Sequence, residues 1–285
     1  MTELAPPRTV VDFLGLASAF LSARGLPSPR LDAEILLGDV LGLGRLELYL
    51  HHDRPLEDAE VDAFRELLRR RGRGEPVAYL VGTTGFRSLV LDTDPRALVP
   101  RPETEGLVEL ALARLPAAGA LLDLGTGSGA IALAVATERP DAAVTACDVD
   151  EGALALAAQN AERLGVQPRL VRSDLYDDLG PDERYDVIAA NLPYVPDDDP
   201  RVDAGVHDHE PHGALYAGPD GLDVIRRAVA GAPDRLRRDG WLVLEFGEGQ
   251  AAAVGALLRE RGFTDVAVTR DLAGIDRYGS GRWSG

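Results

Sequence analysis

Residues 121–136, "LLDLGTGSGAIALAVA", decide the fold class of this chain of 285 residues. An apolar run of strand length leads into three alternating glycines, and an alanine-rich segment of helical length follows. Glycines at such a junction let the backbone turn tightly and approach a ligand beside a helix N-terminus. The stretch therefore predicts a buried strand, a ligand-binding loop and a helix.

The alternation of strands and helices continues towards the C-terminus. Further strands are predicted at "AAVTACD", "PRLVRSD", "YDVIAAN" and "WLVLEFG", and helices at "EGALALAAQNAERLG", "GLDVIRRAVAGAPDRL" and "GQAAAVGALLRERG". The last segments, "DVAVTRDL" and "DRYGSGRW", are strand-like. This pattern predicts an α/β domain with a parallel sheet covered on both faces and a site at the carboxyl ends of its strands.

The N-terminal part of the chain has a different periodicity. Apolar residues between positions 9 and 74 recur at helical spacing, and "EPVAYLVGTTGFRSLVLDTD" then changes to the spacing of a short hairpin. We therefore expect a helical domain over residues 1–80, a β-hairpin linker over residues 81–98 and the α/β domain over residues 99–285.

Composition limits the class of partner. The net charge is −17, and all 30 basic residues are arginine. The part after residue 99 has 18 arginines against 32 acidic residues, net −14, which repels a phosphate backbone and argues against sequence-specific nucleic-acid binding. No apolar run reaches about 18 residues without a charge. We expect a cytoplasmic protein without membrane association, and the only cysteine, Cys147, excludes an internal disulfide.

The spacing of the glycines indicates the kind of ligand. The pattern is G-x-G-x-G preceded by Asp123, whereas dinucleotide-binding loops have G-x-G-x-x-G. Asp148 lies 23 residues after Gly125, at the end of the next strand, where a carboxylate can accept both hydroxyls of a ribose. Asp150 is the expected cap of the following helix. The loop and Asp148 together predict an adenosine-type cofactor.

The segment after the third strand is predicted to face the same crevice, and so is the segment after the fourth strand, "NLPY". Asp174 and Leu175 follow the third strand, where they would offer an adenine a polar contact and an apolar wall. The predicted cofactor contacts are Asp123, Gly125, Thr126, Gly127, Ser128, Gly129, Asp148, Asp174, Leu175 and Asn191.

The fourth strand ends in "NLPY", residues 191–194. Methyl transfer from S-adenosylmethionine to an amide or aromatic amine requires an oriented NH₂ group, because its lone pair is delocalised. The Asn191 side-chain oxygen and the Leu192 carbonyl can accept its N–H groups. Pro193 favours an extended Leu192, and Tyr194 can lie against a flat acceptor. The alternative interpretation is a strand that ends at a proline turn with a packed tyrosine.

These motifs resemble the peptide chain release factor N(5)-glutamine methyltransferases, or HemK-type proteins, within the Rossmann-like S-adenosylmethionine-dependent methyltransferases. The resemblance covers nearly the whole chain and rests on "EPVAYLVGTTGFRSLVLDTDPRALVPRPETE", "DLGTGSGAIALA", "NLPYVP", "DHEPHGALYAGPDGLDVIRRA" and "DLAGIDRYGSGRW". It implies a class I methyltransferase domain preceded by a small helical substrate-recognition domain.

The resemblance also implies an activity. The cofactor would be S-adenosyl-L-methionine, and the substrate would be the glutamine of the Gly-Gly-Gln motif in class I release factors. The glutamine amide would be held by Asn191, Leu192, Pro193 and Tyr194. The segment "PRPETE" would close over the methionine end of the cofactor or over the substrate through Arg101 and Glu103. A salt bridge within the loop would explain these two charged residues equally well.

Leu192 departs from the Asn-Pro-Pro-Tyr that is usual in this family. The backbone carbonyl is retained, but we expect Asn191 to be less constrained without the first proline ring. "NLPY" is also similar to the loop of ribosomal RNA adenine dimethyltransferases, so an adenine N6-methyltransferase acting on RNA or DNA stays an alternative. A non-catalytic scaffold that binds the translation machinery is another, and the glycine spacing argues against a dehydrogenase.

Two charged segments have competing interpretations. "RRRGRGEP", residues 69–76, is either a solvated helix end or a basic site for the release factor or the RNA near it. The other segment has four side chains of the kinds that bind metals, at His207, His209, Glu210 and His212. Pro211 interrupts any helix that would align them on one face. The family resemblance implies no metal in this segment, so no metal site is predicted.

Overall fold

The computed structural model describes residues 9–285, so the first eight residues of the predicted helical domain lie outside the described residues. The chain packs as two compact units. The first contains residues 9–82 and 202–209, and the second contains residues 83–201 and 210–285. The domain boundaries at residues 80 and 98 stay a prediction, and the inclusion of residues 202–209 in the first unit was not expected from the sequence.

The elements follow one another in the order predicted, with short helices added. In chain order they are α1 Val10–Ser22, α2 Pro29–Leu41, α3 Arg45–Leu50, α4 Asp58–Arg71, α5 Val77–Val81, β1 Thr83–Phe86, β2 Leu89–Asp92, α6 Thr104–Leu112, β3 Ala120–Leu124, α7 Ala130–Glu138, β4 Ala143–Asp148, α8 Glu151–Leu164, β5 Arg169–Arg172, β6 Tyr185–Ala190, α9 Ala204–His209, α10 Asp223–Gly231, β7 Leu236–Glu245, α11 Ala251–Glu260, β8 Thr264–Arg270 and β9 Asp276–Arg282. No helix within residues 9–285 is long and apolar enough to cross a membrane.

The first unit is a helical module with its own apolar core. α1 begins with a capping box in which the Thr9 side chain accepts from the Asp12 N–H and the Asp12 carboxylate accepts from the Thr9 N–H. Leu14 of α1, Leu36 of α2 and Phe64 of α4 are fully or almost fully buried in this core. Burial of these apolar faces holds the short helices together.

The basic run at the end of α4 is largely neutralised within the first unit. Arg69 pairs with Glu66 at 3.2 Å, and Arg71 pairs with Asp32 of α2 at 2.7 Å. Arg70 forms a two-pronged ion pair with Glu75. Three of the arginines that made this segment a candidate phosphate site therefore already bind carboxylates of the same unit.

The second unit is built on a seven-stranded sheet in the order β5-β4-β3-β6-β7-β9-β8. The five strands β3 to β7 are parallel, and the chain moves outward from β3 to β5 before it returns to the other side of β3. The carboxyl ends of β3 and β6 therefore flank the point at which the strand order reverses. Ligands bind at this point in doubly wound sheets.

Both faces of the sheet are buried. Leu122 and Ile188 face a core completed by α10 and α11, whereas Leu121 and Val187 face a core completed by α6 and α7. This two-sided burial explains the nearly continuous apolar runs in the strand sequences. The α/β fold class predicted from the sequence is confirmed.

The end of the sheet is not parallel. β8 and β9 form an antiparallel hairpin, and β9 inserts between β8 and β7, to which it is also antiparallel. A parallel connection would need a crossover segment, and only five residues separate β8 from β9, so they can pair only as a hairpin.

Asn160 of α8 connects the glycine loop to the β1–β2 hairpin. Its side-chain NH₂ donates to the Ser128 carbonyl at 3.0 Å and to the Asp92 carbonyl at 3.1 Å, and its oxygen accepts from the Asp92 N–H at 2.7 Å. Because Asn160 is fully buried, no water can replace these partners without a rearrangement.

Asn160→Ala should therefore destabilise the second unit by roughly 2–3 kcal/mol, because buried backbone groups lose their partners. Urea unfolding followed by the fluorescence of Trp241 and Trp283, both in this unit, measures the change. The control is Glu162→Ala, which removes an exposed side chain on the same helix and should cost under about 0.5 kcal/mol. Equal costs for the two variants would contradict the linking role of Asn160.

Candidate active site

The glycine loop lies between β3 and α7, and its three glycines have positive φ angles. These are 68° at Gly125, 55° at Gly127 and 90° at Gly129, a region that strains other residues. The N–H groups of Gly125 and Thr126 donate to the Cys147 carbonyl at 2.9 and 3.0 Å. The loop is therefore tied to the end of β4.

Asp123 lies in the β3 strand beneath this loop and is fully buried. Its Oδ2 atom accepts from the Thr126 hydroxyl at 2.6 Å and from the Ala132 N–H at 3.1 Å. Its Oδ1 atom is buried and has no hydrogen-bond partner within residues 9–285. Burial raises the pKa of this carboxyl to about 7. A ligand group with a positive charge or an N–H would satisfy the unpaired oxygen.

Asp148 ends β4 and is partly exposed. Its oxygens accept from the Gly127 N–H at 2.9 Å and from the Asp150 N–H at 3.0 Å, and burial raises its pKa. Each oxygen keeps a second lone pair, so the carboxylate can still accept two hydroxyl groups. Asp150 itself accepts from the Ala153 N–H at 3.0 Å, which confirms its predicted role as the cap of α8.

Asp174 and Leu175 follow β5. Leu175 is buried, and its carbonyl accepts from the Ser173 hydroxyl at 3.0 Å and from the Cys147 thiol at 3.3 Å. Asp174 forms an exposed ion pair with Arg227 at 2.8 Å. The polar residue predicted to contact adenine therefore has a partner in the protein, while Leu175 offers the predicted apolar surface. Both cofactor roles stay predictions.

The strand pairing brings the two predicted loops to one edge of the sheet. The register pairs Ala190, the last residue of β6, with Leu124 of β3 and with Leu244 of β7. Asn191 follows directly, so it lies between the start of the glycine loop and the last residue of β7. The part of the site around Asn191 thus lies at three neighbouring strand ends, those of β3, β6 and β7.

Asn191 is held by a buried polar network. Its Nδ2 donates to the Thr104 hydroxyl at 2.9 Å, and that hydroxyl donates to Glu245 Oε2 at 2.9 Å. The Tyr194 hydroxyl donates to the other Glu245 oxygen at 3.3 Å. The Asn191 Oδ1 atom accepts no hydrogen bond from the part of the chain that the structure describes. Glu245 is 1% exposed, and burial raises its pKa to about 7.

Leu192 packs against the cofactor loop. Its side chain is buried, and a Cβ atom at Gly125 would lie 3.0 Å from its Cδ2 atom. Its carbonyl oxygen accepts no hydrogen bond within residues 9–285, and Pro193 beside it is partly buried. The leucine that replaces the usual proline therefore contributes apolar packing to the glycine loop.

Tyr194 is fixed through its backbone as well as its hydroxyl. Gln250 donates to the Tyr194 carbonyl at 2.9 Å and accepts from the Gly247 N–H at 2.8 Å. Gly221 has φ 71°, and a Cβ atom there would lie 2.2 Å from the same carbonyl oxygen. Burial also raises the pKa of the Tyr194 hydroxyl, which keeps it protonated.

The structure gives Arg101 and Glu103 structural contacts. Arg101 pairs with Glu210 at 2.6 Å, and the second oxygen of this buried carboxylate accepts from the Val99 N–H at 3.1 Å. Glu103 is exposed, and its backbone carbonyl accepts from the Tyr278 hydroxyl at 2.5 Å. Arg101 therefore forms a salt bridge, but with Glu210 rather than within its own loop, and a role for Arg101 or Glu103 in binding stays a prediction.

The histidine-rich segment is divided between different contacts. Glu210 binds Arg101, and the His212 ring packs edge-on against Tyr216 with centroids 5.5 Å apart. Within residues 9–285 no three His, Cys, Asp or Glu side chains are grouped as a metal site would require.

Thr104 and Glu245 are absent from the site predicted from the sequence. Glu245 did leave a signal, because it is a carboxylate at the end of the otherwise apolar strand "WLVLEF". Thr104 lies directly after the "RPE" of a segment already considered, and no pattern distinguished it. Thr104 and Glu245 are 141 residues apart in the sequence, so only the folded chain brings them into contact.

Comparison with known proteins decides the family. The model of the PrmC N-terminal domain matches residues 12–82, and that of the methyltransferase small domain matches residues 104–206. A release factor glutamine methyltransferase of Geobacter sulfurreducens is 42% identical over 283 residues, covering 99% of each chain. One from Pseudomonas aeruginosa is 47% identical over 259 residues, covering 90% of this chain and 94% of that one. This chain belongs to the release factor glutamine methyltransferase family.

Solved structures of other methyltransferases share the fold. The hMettl16 catalytic domain, in complex with the MAT2A 3′UTR hairpin 6, superposes with a TM-score of 0.54 at 20% identity, covering 81% of this chain and 84% of that one. At this identity the likeness shows the fold alone. The resemblance to the release factor glutamine methyltransferases is confirmed, whereas the individual site residues stay predictions.

Proposed function

We propose that this member of the release factor glutamine methyltransferase family transfers a methyl group from S-adenosyl-L-methionine to the side-chain amide nitrogen of the glutamine in the Gly-Gly-Gln motif of a class I release factor. The orientation of Asn191 is the observation that carries the proposal. Its NH₂ is committed to Thr104, so its oxygen remains as an acceptor next to the unpaired carbonyl of Leu192. A primary amide presents the two N–H donors that such a pair of acceptors requires.

The residues around the glycine loop fit the cofactor. The buried, unpaired Oδ1 of Asp123 would receive the positively charged methionine end, and Asp148 would accept the ribose hydroxyls. Leu175 would pack against the adenine. The positive φ of Gly125 and its contact with Leu192 leave no room for a side chain at this position of the loop. When bound, the cofactor supplies a methyl group on a sulfonium, which makes that carbon electrophilic.

The chain itself orients the acceptor. An amide nitrogen is a weak nucleophile because its lone pair is delocalised into the carbonyl group. Asn191 and the Leu192 carbonyl hold its N–H groups, aim the nitrogen and stabilise the positive charge that it gains as the new N–C bond forms. Tyr194, fixed through Gln250, would lie against the flat amide. One N–H proton leaves to water, and the product is a neutral N-methyl amide.

The charge of the chain favours a protein substrate over RNA. The 186 residues after position 99 carry net −14, and most of the basic run of residues 69–73 is paired with carboxylates. A negatively charged domain attracts a basic protein segment and repels a phosphate backbone. We propose that the first unit contacts the release factor and that the reaction takes place in the cytoplasm, where translation ends.

Incubation with methyl-labelled cofactor, a release factor and cellular RNA in one mixture should place the label on the release factor. Asn191→Ala should lower the initial rate by about 100-fold or more, because one of two acceptors is lost. The control Gln167→Ala removes an exposed amide and should stay within about twofold of wild type. Label on RNA alone would contradict the proposed function, and an unchanged rate in Asn191→Ala would contradict the proposed role of Asn191 in holding the amide.

Cofactor affinity tests the glycine loop separately. Gly125→Ala should weaken binding of S-adenosylmethionine by roughly tenfold or more, because its new methyl group pushes against Leu192 and strains the loop. Gly165→Ala is the matched control, since Gly165 has φ 69° but open space around its Cβ position. It should lose comparable backbone stability yet keep its affinity, measured by calorimetric titration. A similar loss of affinity in both variants would refute a specific role of the loop.

A further inference from the structure

The proposed reaction needs the side-chain oxygen of Asn191 to face the acceptor amide. The reaction itself does not explain why the Asn191 amide takes this orientation. An asparagine amide can turn by 180° and exchange its oxygen for its NH₂ group. In the opposite orientation it would present donors to a substrate that is itself a donor. Residues that select one orientation would therefore contribute directly to the rate.

The number of protons in the network selects one orientation of the Asn191 amide. Ionised Glu245 has no proton, so both of its neighbours must donate to it. Thr104 has a single hydroxyl proton, which it gives to Glu245 Oε2 at 2.9 Å. The lone pair that remains on Thr104 can only accept, so Asn191 must turn its NH₂ group towards it, as the 2.9 Å bond shows.

We infer that Thr104 and Glu245 are positioning residues that hold Asn191 with its oxygen towards the acceptor amide. This inference rests on the proposed function. Tyr194 joins the same carboxylate at 3.3 Å, so a single buried group orients two members of the substrate clamp. Neither Thr104 nor Glu245 needs to touch the substrate.

The direction of the network depends on the charge of Glu245. A protonated Glu245 can donate to Thr104, which can then donate to Asn191 Oδ1 and turn the amide to its unproductive orientation. Burial raises the pKa of Glu245 to about 7, so this carboxyl is largely protonated below pH 7 and ionised above it. The rate of methyl transfer should therefore rise with pH through this range.

Several groups face Glu245 and determine the pH range over which it ionises. Arg277 of β9 favours the carboxylate, while Glu103 at the start of α6 opposes it through its negative charge. The hydroxyls of Thr104 and Tyr194 donate to the carboxylate and favour its ionised form.

Two residues of β9 next to Glu245 keep a fixed charge in this pH range. The Tyr278 hydroxyl has its own pKa raised to about 12, so it stays neutral. Arg277 is itself held by Asp271 at 3.4 Å and by the Phe246 carbonyl at 3.2 Å.

The test measures kcat and KM for a release factor across about pH 5.5 to 9 at saturating cofactor. Glu245→Gln imitates the protonated carboxyl, so its kcat should be roughly 10- to 100-fold below wild type at high pH and independent of pH near 7. Thr104→Val cuts the link to Asn191 and should behave in the same way. Thr104→Ser keeps the hydroxyl and should restore most of kcat together with its pH dependence.

Thr145→Val is the matched control, because Thr145 is a buried β4 threonine outside this network. It should keep the wild-type pH profile. Wild-type kcat in Thr104→Val, or an unaltered pH profile in folded Glu245→Gln, would overturn the inference alone. Failure of the wild-type enzyme to methylate the release factor would instead overturn the proposed function and the inference with it.

Discussion

The parallel pairing of β6 with β3 on one side and β7 on the other is the constraint on which the site depends. The register that aligns Ala190 with Leu124 and Leu244 brings three loops to one edge of the sheet. A shift of one residue would turn Asn191 to the other face. The apolar side chains of both cores prevent such a shift, so packing far below the site determines its geometry.

Much of this arrangement was predictable from the sequence, because the deciding signals are local. The glycine loop, the carboxylate at the end of β4 and the "NLPY" segment each follow an apolar strand, and parallel strands align their carboxyl ends. The helical character of the first unit follows from periodicity in the same way. The family resemblance then connected these signals to one reaction.

The features that were not predictable are those that depend on distant contacts. Thr104 and Glu245 meet only after folding, and Asp174 finds Arg227 across 53 residues. Residues 202–209 pack in the first unit although they follow the "NLPY" loop in sequence. Leu192 illustrates the same limit: it first indicated a looser Asn191, yet in the structure it packs on the glycine loop while Asn191 is tied to Thr104.

The central claim is that this site methylates an amide nitrogen of glutamine. Peptide mass spectrometry of a class I release factor, after incubation with the enzyme and S-adenosylmethionine, tests it most directly. The expected result is a mass gain of one methyl group, localised by fragmentation to the side chain of the glutamine in the Gly-Gly-Gln motif. A methyl group on any other residue of the release factor, with that glutamine unmodified, would contradict it.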